Sequence, residues 1–111
     1  MKIKIYQINT AKDDRRIAFF DLEATKELQK SDEINSSIYD MVYNGEVDCI
    51  TLEGVFRMFN TQHPEGYKGW SLSVSDIVEV IESDEVKPGF YFCDSFGFTE
   101  VDFDSKKCDV R

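Results

Sequence analysis

Apolar and polar side chains alternate through KIKIYQI (Lys2 to Ile8), and a period of two with β-branched residues predicts a strand. A polar turn, TAKDDRR, leads to IAFF, which predicts a second short strand. Asp21 stands where it can cap a helix over LEATKELQK, with Glu23 in the first turn and Lys26 and Lys30 nearer the end. The apolar stripe of that helix is thin: Leu22, Thr25 and Leu28. SDEINSS reads as a loop, and IYDMVY as a strand ended by a turn at NGEVD. The clearest helix follows. Leu52, Val55, Phe56 and Phe59 recur at the helical period, Thr51 is a natural N-cap, and Asn60 and Pro64 mark the end. Beyond the loop TQHPEGYKGW, SLSVSDIVEVI predicts a strand, and FYFCDS and FTEVDF predict two more joined near Phe96 and Gly97. The sum is one α+β domain over residues 1–104, a mostly antiparallel sheet of five or six strands with one or two short helices packed on it. Residues 105–111, SKKCDVR, are expected to fray.

Composition supports a folded core and narrows the partners. Among 111 residues, nine Phe and five Tyr supply large apolar areas that help a small core offset chain entropy. Acidic residues number 22 against 13 basic, a net charge of −9. Nucleic-acid phosphates repel such a surface, and the Lys and Arg residues do not cluster, so direct DNA or RNA binding is not expected. A basic protein is the expected partner, because a negative surface steers that encounter; the plainer alternative is that the charge serves solubility. Cys49, Cys93 and Cys108 form no paired spacing, which fits free thiols in a reducing compartment. No run is apolar and long enough to suggest a leader or a membrane span. The expected location is the cytoplasm of a bacterial host.

Catalytic chemistry finds little purchase. The single histidine, His63, precedes a proline in a loop, and Cys93 sits among phenylalanines with no base assigned to it. Walker, GxGxxG and Gly-x-Ser-x-Gly patterns are missing, so no catalytic residue and no cofactor is assigned. Glu100, Asp102 and Asp104 resemble a calcium loop only superficially, because the glycine turn and closing glutamate do not follow. As a strand, that segment turns Val101 and Phe103 inward and sets the three carboxylates outward about 6.7 Å apart. That is near two axial phosphate steps of one nucleic-acid strand, about 3.4 Å each. Glu79, Glu82, Asp84 and Glu85 add a second acidic cluster. Together the two sets suit a basic groove built for DNA or RNA; alone, they suit an edge strand protected from aggregation by charge.

Three segments resemble the YodL-like domain of bacterial conjugative elements and plasmids: YDMVYNGEVD, LEGVFRMFNTQHPEGYKGWSLSVSDIV and FYFCDSFGFTEV. The run FN..HP, the SLSVSD block and DSFGF are its most specific parts. The resemblance implies a mobile-element context and carries over no catalytic residue. Asn60, His63, Ser73, Ser75, Asp76, Asp94 and Ser95 are its polar motif residues, able to converge on a patch or to act as turn and cap residues. Mobile elements meet restriction and CRISPR nucleases, whose grooves carry Lys and Arg. The expected function is therefore an anti-CRISPR-type inhibitor binding a nuclease or its guide complex through Glu79, Glu82, Asp84, Glu85, Glu100, Asp102 and Asp104, with Tyr67 and Trp70 as aromatic anchors. The alternatives are an interaction module of conjugation machinery and an enzyme acting on guide RNA or a defence protein through His63 or Cys93.

Overall fold

Lys2–Ile8 forms β1, and its burial explains its composition. Ile3 and Ile5 lie buried on one face, Tyr6 and Ile8 on the other. A strand with two covered faces belongs in the middle of a sheet. In the computed structural model, which describes all residues 1–111, the order is β5-β4-β3-β1-β2-β6. The other strands are β2 (Tyr39–Glu46), β3 (Ile77–Glu82), β4 (Gly89–Cys93), β5 (Phe98–Val101) and β6 (Asp109–Val110). All neighbours are antiparallel except β2 and β6. The chain is thus an α+β domain built on a mostly antiparallel six-stranded sheet.

Both β2 and β3 flank β1 antiparallel, so they run parallel to each other and need a crossover. The crossover is α2 (Leu52–Thr61). Thr51 caps it by accepting from Gly54 N at 3.0 Å, and Glu53 lies in its positive first turn. Val55 and Phe59 are fully buried against Ile3, Ile5, Val78 and Val80, each burial stabilising by about 1.5–3 kcal/mol. Phe56, expected in the same stripe, stays 39% exposed. A bulge between Ile5 and Tyr6 in the pairing with β2 lets consecutive Val42 and Tyr43 both join this core.

The opposite face is covered by the chain between β1 and β2. Its helix α1 (Leu22–Gln29) starts where Asp21 accepts from Ala24 N at 2.9 Å. It ends at Lys30 in the left-handed region, φ 57°. Leu22 and Thr25 are buried, whereas Leu28 faces out.

Four local expectations fail for identifiable reasons. IAFF is no strand, because side chains already satisfy its backbone. Asp13 accepts from Ile17 N (3.0 Å) and Ala18 N (2.9 Å), and Ser75 Oγ from Phe19 N (2.9 Å). NGEVD is no turn: β2 runs on through Glu46, which pairs with Lys2. SLSVSD precedes β3 as a tight loop, closed by Ser75 at φ 83° and by Ser73 N donating to Asp76 Oδ2 at 2.8 Å. Residues 105–111, expected to fray, form a 3-10 turn and then β6 on the edge of β2. Lys12 holds Asp109 (2.5 Å) and Asp40 (2.9 Å), and Arg111 reaches Asp40 at 3.4 Å.

Candidate partner-binding surface

Strand β5 is a sheet edge, and the alternation read from its sequence persists past its last residue. Phe103 packs into an aromatic cluster with Tyr6, Tyr39 and Phe90, ring centroids 5.0, 5.1 and 5.3 Å away. Val101 and Phe103 are half-buried, which leaves Glu100, Asp102 and Asp104 exposed. The strand itself stops at Val101, so the regular strand spacing does not extend to Asp104. Asp104 N donates to Ser36 Oγ at 2.9 Å and pins the edge to the 36–38 turn. An open groove of about 490 Å³ follows, lined by Glu33, Glu100, Asp102 and Asp104, with Lys107 as its one cation.

Few of these charges are neutralised. Within 4.0 Å of a Lys or Arg nitrogen stand only Asp40, Asp109 and Glu100, and Glu100 meets Lys87 loosely at 3.9 Å. Glu33, Asp102 and Asp104 are exposed and have no such partner.

The second acidic cluster divides. Glu79 turns back onto the sheet and accepts from Tyr6 Oη at 2.7 Å. Burial first, and then that carboxylate, push the Tyr6 phenol upward from its ordinary value. Glu82, Asp84 and Glu85 are exposed at the end of β3 and in the loop after it. Val80 pairs with Gly89 and Phe90 with Val101, so this loop and the far end of β5 share one end of the sheet. The fold gathers Glu82, Asp84, Glu85, Glu100 and Asp102 there.

Tyr67 and Trp70, expected as outward anchors, belong to an internal network. Tyr67 stacks edge-on against Phe59 at 4.9 Å, and its hydroxyl donates to the Trp70 carbonyl. Arg111 lies over the Trp70 ring at 5.1 Å. Gln7 ties them together. Its amide NH₂ reaches Tyr67 Oη (2.9 Å), Trp70 O (2.9 Å) and Asp76 Oδ2 (3.0 Å), and its carbonyl accepts from Trp70 N (3.1 Å). Burial pushes the Asp76 carboxyl up to about 8, against the pull of Ser73 N, Gln7 and Arg111. Glu79, Tyr67 and Trp70 therefore stand apart from the outward row.

Among the remaining polar candidates, Asn60 and Asp94 satisfy backbone groups. Asn60 Nδ2 donates to Phe56 O at 2.7 Å, and Asp94 Oδ1 accepts from Leu22 N at 3.2 Å, a second cap for α1. Ser95 Oγ reaches Asp21 Oδ2 at 3.3 Å. His63 is exposed, with Nε2 3.4 Å from Ser71 Oγ. Cys93 is 3% exposed, and burial raises its thiol to about 12, the reverse of an activated nucleophile. No group of three or more His, Cys, Asp or Glu side chains is placed to hold a metal ion. No helix is long and apolar enough to cross a membrane.

A family model for the YodL-like domain matches residues 2–103. The chain belongs to the YodL-like domain family. Comparisons with curated proteins and with solved structures gave no match. The match takes in β1 to β5 and both helices of the YodL-like domain, together with the acidic positions from Glu79 to Asp102. Two contributors were hidden from sequence reading. Glu33 joins the groove only because the fold brings its loop to the β5 edge. Gln7 read as an ordinary strand position, because its partners lie 60 to 69 residues away.

Proposed function

We propose that this YodL-like domain is a non-enzymatic inhibitor, encoded by a mobile element, that docks on a host defence nuclease of the CRISPR type and occupies its nucleic-acid groove. The observation that carries this reading is the gathering of Glu82, Asp84, Glu85, Glu100 and Asp102 at one end of the sheet, where only Glu100 has a cation partner. Unpaired carboxylates grouped at one end of a sheet attract Lys and Arg side chains, which favours fast, salt-sensitive association. The aromatic anchoring of Phe103 holds the segment that carries Glu100 and Asp102. A groove that normally takes phosphates offers the complementary charge.

The edge also defends itself from strand pairing, since outward charges deter another chain from adding to β5. That role and partner binding are compatible, and they differ in what a partner does to the protein's behaviour. The deciding experiment is protection of a CRISPR-targeted plasmid in a bacterial host that expresses the protein. Survival of the plasmid, lost on Asp84→Lys/Asp102→Lys substitution, supports the reading. Plasmid loss equal to that of an empty vector overturns it. Recovery of relaxase or coupling components instead of nuclease subunits would move the domain into conjugation machinery.

A further inference from the structure

The hairpin joining β4 to β5 carries the most exposed large apolar side chain of the protein: Phe96 is 99% exposed. Gly97, at φ 77°, makes the turn, and Asp94 N donates to Gly97 O at 2.9 Å across it. Between this hairpin and α2 runs a groove of about 520 Å³ with Phe56, Phe98 and Cys93 among its walls. Phe20, 45% exposed, stands on the neighbouring loop, which the Ser95–Asp21 hydrogen bond ties to the hairpin. Exposed aromatic surface concentrated beside a groove marks contact sites. The hairpin lies at the opposite end of β5 from Glu100 and Asp102, so this surface is separate from the acidic end.

Charge selects the occupant. The carboxylates in the groove lining are Glu53 and Asp94, Asp21 adjoins through its hydrogen bond with Ser95, and none has a Lys or Arg nitrogen within 4.0 Å. Neutral donors hold two of them: Asp94 accepts from Leu22 N and Ser95 N, and Asp21 from Ala24 N and Ser95 Oγ. Arg57 is the one cation in the lining. A second copy of the chain would bring the same negative rim and another net −9. We infer that the groove and the Phe96 tip beside it dock a basic, apolar segment of a partner protein, with an aromatic or large aliphatic side chain between Phe56 and Phe98, a second apolar contact covering Phe96, and flanking Lys or Arg on Glu53 and Asp94. This surface goes beyond the proposed inhibition and stands whether or not the acidic end binds a nuclease.

The test is selection of a displayed library of random peptides on the folded protein, followed by affinity measurements on the enriched sequences. Enriched peptides should pair a large apolar residue with neighbouring Lys or Arg. Their affinity should fall at least about tenfold on Phe96→Ser, the loss typical of an exposed aromatic that a partner covers. It should fall further on Glu53→Lys and stay unchanged on Asp102→Lys. Phe96 buries nothing in the folded protein, so equal thermal melts of wild type and Phe96→Ser will show that the fold is intact. The inference is overturned by enriched peptides without cations, by affinities blind to Phe96→Ser, or by no enrichment. A wild-type dimer in sedimentation that Phe96→Ser makes monomeric would assign the groove to a second copy and overturn it as well.

Discussion

Replacing Asp76 by asparagine removes a buried carboxyl whose ionisation the fold opposes. Asp76 is 1% exposed, and its Oδ2 accepts from Ser73 N (2.8 Å) and Gln7 Nε2 (3.0 Å). Burial raises its pKa from 3.8 to about 8. Between those two values the folded protein keeps a proton that the unfolded chain releases. Stability from this group is therefore full below about pH 4 and declines as pH rises to about 8. A shift of about four units at about 1.4 kcal/mol each gives a decline of roughly 5 kcal/mol, an upper figure because water and relaxation reduce it. The asparagine carbonyl can keep both donors while its NH₂ does not titrate. Urea unfolding followed by Trp70 fluorescence from pH 4.5 to pH 9 measures the difference between wild type and Asp76→Asn. The wild type should lose several kcal/mol relative to the variant as pH rises. A constant offset from the new amide leaves that slope unaffected. Parallel curves for the two proteins would refute the reasoning.

Phe103→Ala opens the cluster around Tyr6, Tyr39 and Phe90, and should cost about 2 kcal/mol in chemical unfolding, below the full core value because Phe103 is half-buried. Amide exchange at Asp102 and Asp104 should rise with it, and unchanged exchange would contradict the anchoring role. Arg111→Ala removes the cation over Trp70 and one of two basic partners of Asp40, for a loss of about 1 kcal/mol and a shifted Trp70 emission. Burial opposes ionisation of Asp40, yet Lys12, Asn9 and Arg111 hold its carboxyl below the usual range. Its contribution is present above the unfolded pKa and lost as pH falls through the lower folded value, and Arg111→Ala should move that acid loss to higher pH.

What sequence reading captured was local. The caps Asp21 and Thr51 act within three residues of themselves, and β1 alternates by itself, so their signals lie in a short window. The alternation from Glu100 to Asp104 was legible because Val101 and Phe103 are apolar and packed. What escaped was set by distant partners. IAFF has strand composition, yet Ser75 takes the Phe19 N–H from 56 positions away. Glu79 has the sequence context of an outward carboxylate, but Tyr6 on the neighbouring strand supplies a hydroxyl that turns it inward. The C-terminal strand depends on Lys12 and Asp40, neither near it in sequence. The grouping of Glu82, Asp84 and Glu85 with Glu100 follows from strand register, which composition does not state.

Affinity for a purified CRISPR nuclease loaded with guide RNA, measured at about 0.05 M and about 0.3 M salt, tests the acidic end most directly. Wild-type binding should weaken at least about tenfold across that range, and Asp84→Lys/Asp102→Lys should weaken it about tenfold more at the lower salt while the thermal melt stays unchanged. Affinity that ignores both salt and charge reversal, or no binding at either salt, would contradict the account.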